Sequence, residues 1–105
     1  MVETIKNNDM SKAEAAEAAV IDFNATWCGP CRMLAPVLEE VSEEMKGKVE
    51  FYSCDCDENG ELARKFGIMS IPAVVVLKKG QQAGMNVGFV PKEGLVEFIK
   101  GSLKE

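Results

Sequence analysis

The sequence predicts an α/β fold of order βαβαβαββα, with a mixed central sheet flanked by helices on both faces. Three observations lead there. Short runs rich in Val, Ile and Phe alternate with segments of helical periodicity through the first half of the chain. The run Ala73-Val74-Val75-Val76-Leu77 is apolar without interruption, as a central strand covered on both faces must be. A Lys79-Gly80 turn then joins it to a more polar strand, so the alternation ends in an antiparallel hairpin and one more helix. At 105 residues, 47% hydrophobic and 28% charged, the chain fits one globular domain over 1–105.

Each element has a local reason. Val2 to Lys6 reads as a short strand. Ser11 opens an Ala-rich helix to about Ala18, with Glu14 three residues on as capping-box partner. Val20, Ile21, Phe23 and Ala25, interrupted by Asp22, read as a buried strand. After Trp27-Cys28-Gly29-Pro30-Cys31, Leu34, Val37, Leu38, Val41 and Met45 recur at helical spacing. Glu39, Glu40, Glu43 and Glu44 take the other face of that helix, as solvated surface. Pro36 lies inside it, where it removes a donor and crowds the preceding turn, so a kink is expected; Gly47 ends it. Val49 to Asp55 reads as a strand, and Asn59 caps a short helix through Phe66, closed by Gly67. Gln81 to Gly88 is polar enough for a sheet edge, and Pro91 starts a last helix that buries Leu95, Phe98, Ile99 and Leu103. Strands alternating with helices imply right-handed parallel crossovers in the first half.

Composition removes whole classes of function. Twelve Lys and Arg against 17 Asp and Glu leave a net charge of -5, which argues against a nucleic-acid partner. No apolar run approaches the roughly 18 residues that cross a bilayer, and no apolar signal core stands at the N-terminus, so no membrane association and a cytoplasmic location are expected. With no histidine, Ser-His-Asp hydrolysis and His-based metal catalysis are excluded. Four cysteines remain, Cys28 and Cys31 as a Cys-x-x-Cys pair, Cys54 and Cys56 one residue apart. In a reducing cytosol such pairs point to redox chemistry or metal binding.

Layout favours redox chemistry for the first pair. A strand ends near Ala25 and a helix begins within Gly29-Pro30-Cys31, which puts Cys28 at a helix N-terminus beyond the carboxyl end of a strand. Unpaired N–H groups and the positive dipole end there favour the thiolate, the nucleophile of disulfide exchange. Cys31, one turn along, is placed to resolve a mixed disulfide, and Pro30 suits the first helical position.

The segment Phe23-Asn24-Ala25-Thr26-Trp27-Cys28-Gly29-Pro30-Cys31 closely resembles the active-site segment of the thioredoxin family. The likeness continues through Pro36, Phe66-Gly67-Ile68, Ile71-Pro72, Gly80 and Gly88, with matching spacings, over about residues 20–103. It implies the thioredoxin fold and a protein-disulfide reductase without bound cofactor or metal, with Cys28 attacking and Cys31 resolving. It further implies that Asp22 is a buried carboxylate that moves the proton of Cys31. Ile71-Pro72 resembles the family's cis-proline bond, which offers backbone hydrogen bonds to an extended substrate. Trp27, Gly29, Pro30 and the loops around Ile71, Pro72 and Gly88 resemble its docking surface. A thioredoxin reductase and disulfide-containing client proteins are the implied partners of a monomer. Gly-Pro between the cysteines resembles the reductants of the family.

Two positions depart from the pattern. Asn24 stands where an aromatic is usual, so looser packing is expected around the active-site loop. Ser53 stands where a lysine often neighbours the buried acid, so an ionised Asp22 is harder to sustain.

Cys54 and Cys56 share a strand face roughly 6.6–6.8 Å apart, too far for an unstrained disulfide, and read as small buried hydrophobes. A four-cysteine zinc module is the rival from another class, but this chain has apolar periodicity enough for a core, and Cys-x-Cys on one strand is awkward for a tetrahedron. A redox-inert adaptor of the same fold would lack one cysteine of the first pair. Met33, Met69 and Met85 read as core or rim filler, with a partner surface as the alternative.

Overall fold

The computed structural model describes residues 1–104. Its elements in order are β1 (Val2–Thr4), α1 (Ser11–Ala15), β2 (Ala18–Asn24), α2 (Gly29–Glu44), β3 (Glu50–Asp55), α3 (Gly60–Lys65), β4 (Ala73–Lys78), β5 (Gln81–Val87) and α4 (Lys92–Leu103). That is the expected βαβαβαββα order. The five strands form one mixed sheet in the order β1-β3-β2-β4-β5. β3 runs parallel to both β1 and β2, whereas β4 is antiparallel to both β2 and β5.

Helices cover both faces, and each face carries its own apolar cluster. Alternation along β2 sorts its residues: Val20 packs with Leu34, Leu38 and Val41 of α2 and with Leu95 and Ile99 of α4. Ile21 and Phe23 turn to the other face, with Ala13 of α1 and Leu62 of α3. The amphipathic stripe of α2 is the expected one, and the helix continues through Pro36 to Glu44. Along α4, Leu95 and Ile99 are fully buried, while Phe98 and Leu103 are only partly so.

The hairpin forms where Lys79-Gly80 predicts it. Lys78 pairs with Gln81, and both turn residues have positive φ, 51° and 79°, as the strand twist requires of a two-residue loop. A side chain at position 80 would also place its Cβ 2.9 Å from the carbonyl oxygen of Glu14, so α1 is seated directly against this turn.

Three local expectations yield to tertiary structure. The first helix stops at Ala15 rather than near Ala18, because Ala18 and Ala19 are drawn into the sheet opposite Lys78 and Leu77. Sheet pairing outweighs the few tenths of a kcal/mol per residue that favour helix there. Its cap also differs: Asp9 Oδ1 accepts from the Ser11 amide at 3.0 Å and from Ser11 Oγ at 2.7 Å, while Glu14 reaches Lys65. Asn59 precedes α3 but does not cap it with its side chain. Instead Asn8, from the turn after β1, accepts from the Glu61 and Leu62 amides, and Asn59 binds the Asn8 amide and the Ile5 carbonyl in return.

Candidate active site

β2 carries the chain to Asn24, and a short loop through Trp27 leads into α2. Cys28 is the residue before the first helical turn, in extended conformation, and its Sγ accepts a hydrogen bond from the Cys31 amide at 3.2 Å. Pro30 occupies the second helical position rather than the first, where an absent N–H still leaves no partner unpaired. No acidic residue lies in the first turn to oppose a thiolate. Cys28 and Cys31 are joined as a disulfide, with Cα atoms 5.3 Å apart.

Around the disulfide the chain supplies an apolar rim. Ala25 and Ile71 pack against the two cysteines. The Ile71-Pro72 bond is cis, and the Ile71 carbonyl oxygen lies 3.9 Å from Cys28 Sγ. A disulfide sulfur carries no proton, so this is a contact in the oxidised state. The Gly88 amide donates to the Pro72 carbonyl at 2.7 Å, which ties the loop after β5 to the residue beside the disulfide. Gly88 has φ of +100°, a conformation that side chains resist. Trp27 is 68% exposed, its indole N–H held by Asp57 Oδ2 at 2.9 Å. Met69 and Phe89, flanking the Ile71 and Gly88 segments, are also exposed, as is Met33. Met85 instead packs against the core on the α1 and α3 face.

Asp22 lies on β2, on the α2 side of the sheet, and is only 2% exposed. Burial pushes its carboxyl up to about 6, opposed by a hydrogen bond from Asn24. Asn24 Nδ2 lies 3.2 Å from Asp22 Oδ2, and Asp22 Oδ1 has no partner among the described residues. A pocket of about 320 Å³ touches Asp22, Cys31, Asn24 and Ser53, and its wall includes exposed Arg32 and Glu39. Asn24 and Ser53, noted in the sequence only as departures, thus belong to the site. Their signal was their placement: Asn24 is two residues from Asp22 on one strand, and Ser53 is Asp22's register partner on β3.

The second cysteine pair does not join this site. Cys54 is fully buried among Phe23, Tyr52 and Ala73 on the opposite face of the sheet, and burial pushes its thiol up to about 12. Cys56 lies just beyond β3, half-buried, its thiol also raised first by burial. Raised thiols are poor nucleophiles and poor metal ligands. Replacing both by Ala or Val is expected to leave disulfide-reducing turnover intact and to cost no more than about 1–2 kcal/mol of stability. Steady-state turnover and urea unfolding of the double variant measure both quantities; lost turnover with folding preserved would require a chemical role for the pair.

Comparisons with known proteins agree with this geometry. A thioredoxin family model matches residues 2–101. The chain is 50% identical over 101 residues to a thioredoxin of Bacillus subtilis, covering 94% of this chain and 97% of the relative. It is 48% identical over 89 residues to a thioredoxin of Staphylococcus aureus, covering 85% of each chain. Among solved structures, it superposes on chloroplastic thioredoxin z with a TM-score of 0.84 at 37% identity, covering 96% of this chain and 93% of that one. The pair held at the head of α2 and these likenesses carry one conclusion: the chain belongs to the thioredoxin family of thiol-disulfide oxidoreductases.

Proposed function

We propose that Cys28 and Cys31 carry a reversible dithiol/disulfide couple that reduces client proteins, Cys28 as attacking thiolate and Cys31 as resolving thiol. The observation that carries this assignment is the Cys31 amide donating to Cys28 Sγ at the N-terminus of α2, where the same N–H and the helix dipole stabilise a thiolate. In the reduced chain, Cys28 attacks one sulfur of a client disulfide and expels the other client sulfur as a thiolate, which takes up a proton. Asp22 accepts the proton of Cys31. The Cys31 sulfur then attacks Cys28 Sγ, forming the Cys28–Cys31 bond and releasing the second client sulfur. The client gains two electrons from the chain, and its two thiolates take protons from solvent, to which Asp22 returns the one proton that Cys31 gave up.

Trp27, Gly29, Pro30, Ile71, Pro72 and Gly88 form the face on which an extended client segment docks, the Ile71 backbone pairing with it beside the disulfide. Two electrons return from a thioredoxin reductase. No helix among the described residues is long and apolar enough to cross a membrane, and the chain carries a net charge of -5. The reading is of a cytoplasmic monomer, one domain over 1–105, acting on proteins rather than on membranes or nucleic acid; the acidic balance disfavours a nucleic-acid partner.

Incubating the purified protein with a disulfide-bonded protein, and with an NADPH-linked or a ferredoxin-linked reductase, tests the reading. Catalytic thiol release is expected with one of them, and stoichiometric release at most without either. Absence of turnover with both, from a folded and fully reduced chain, would overturn it.

A further inference from the structure

Asp22, Asn24 and Ser53 share the face of the sheet beneath α2 and form one hydrogen-bonded unit. The Asn24 amide nitrogen lies 3.0 Å from the Asp22 carbonyl oxygen, 3.2 Å from Asp22 Oδ2 and 2.8 Å from Ser53 Oγ. Two of these acceptors are oxygens without a proton to give when Asp22 is ionised. Turning the amide over would set oxygen against oxygen, so its orientation is determined. The result is asymmetric: Oδ2 of Asp22 is held and buried Oδ1 is left without a partner. An unpartnered buried carboxyl oxygen is costly unless something else serves it. The adjoining pocket also touches Cys31, and none of Trp27, Ile71, Pro72 or Gly88 lines it.

We propose that Asn24, oriented by Ser53, is a positioning residue that holds Oδ2 of Asp22 and leaves Oδ1 to take the proton of Cys31 and pass it to solvent through this pocket. The inference rests on the assignment of Asp22 as proton acceptor. A client docked on the Trp27, Ile71 and Gly88 face covers the disulfide, so the proton needs an exit that the client does not close. The pocket, at about 320 Å³, is roomy enough for several waters and has polar groups to bind them. Asn24 also supplies what a neighbouring lysine would otherwise supply, a donor to the carboxylate, but without a charge. It therefore opposes the desolvation of Asp22 without cancelling it. The other ionisable groups around Asp22 are Arg32, Glu39 and Cys31 of α2 on the pocket wall, with Cys54 of β3 and Cys56 after it. β4 contributes apolar Val74 opposite Asp22, and β1 contributes Val2.

The test uses Asn24→Leu, Ser53→Ala and Ala35→Leu, with Asp22→Asn as reference. Resolution of a preformed mixed disulfide is followed by single-turnover kinetics across pH, and the Asp22 carboxyl is titrated by carbon NMR in the reduced protein. Asn24→Leu is expected to move that titration and the acidic limb of the resolution profile upward together, by about one pH unit for one lost hydrogen bond to a charged group. Ser53→Ala moves both in the same direction by less. Ala35 lines the pocket from α2, so a larger side chain there slows resolution severalfold. Initial attack by Cys28 is slowed less than resolution in all three. A merely structural role for Asn24 would change stability without moving the limb. If Asp22→Asn slows resolution but the limb and titration stay put in Asn24→Leu and Ser53→Ala, the positioning role fails alone. Unchanged resolution in Ala35→Leu overturns the exit route. Wild-type resolution in Asp22→Asn overturns the assignment of Asp22 together with this inference.

Discussion

Cys28→Ser is expected to lower disulfide-reducing turnover by at least about a thousandfold, the scale on which deleting an enzyme nucleophile acts. Cys31→Ser attacks clients at close to the wild-type rate and then stops at a covalent mixed disulfide. The difference does not come from access, since Cys28 and Cys31 are almost equally buried, at 6% and 4% exposed. It comes from the end of α2. The Cys31 amide points at Cys28 Sγ, and the dipole end is undiluted by any acidic residue in the first turn. Cys31 lies inside the helix, where it receives no such stabilisation, and its task is to reach Cys28. The 5.3 Å between their Cα atoms allows that. Mass spectrometry of client adducts under non-reducing conditions reads the trapped species directly. Alkylation of the reduced protein near neutral pH should modify Cys28 first; equal modification of both cysteines would defeat the division of labour.

Asp22→Ala is expected to raise folding stability above pH 7 by up to about 3 kcal/mol, and by much less near pH 4. The carboxyl is raised from its ordinary 3.8 to about 6, chiefly by burial. A raised acid binds its proton more tightly in the folded state than in the unfolded one. Its contribution is therefore present in full below the unfolded value, near 4, and is lost as pH rises through about 6. A shift of about two units corresponds to about 3 kcal/mol carried against the fold once the group is ionised. Alanine removes that burden, while the Asn24 amide and Ser53 hydroxyl retain each other at 2.8 Å. Urea unfolding at pH 4 and pH 8 measures the two limits, and an equal gain at both would show that burial of the charge is not the cause. The same substitution should slow resolution of mixed disulfides more than initial attack. A variant that is more stable and less competent is the signature of a group retained for chemistry at the expense of the fold.

The parts of this protein legible in its sequence are those set within a turn or two of chain. The spacing of Cys28 and Cys31 across Gly-Pro, the apolar stripe of α2 and the Lys79-Gly80 hairpin depend on neighbours in sequence, and the structure repeats them. So does the burial of Leu95 and Ile99, which follows from helical period alone. An X-Pro before a central strand was also legible, but not its isomer, which is nearly balanced locally and needed the family likeness.

Contacts between distant segments were decided only in three dimensions. Whether Ala18 belongs to a helix or a strand depends on β4 arriving beside it, some 60 residues later. Asn8 caps α3 because the turn after β1 lands on that helix, so the cap lies outside any local window. Asn24 and Ser53 read separately as losses, of an aromatic and of a cation. The register of β2 on β3 sets Ser53 opposite Asp22, and the pleat sets Asn24 on the same face, so two departures become one hydrogen-bonded unit around the buried acid. A slip of one residue would have turned Ser53 to the other face and dissolved it. Cysteine spacing and helix propensity are properties of a segment, whereas the environment of Asp22 is a property of strand register, which no segment contains.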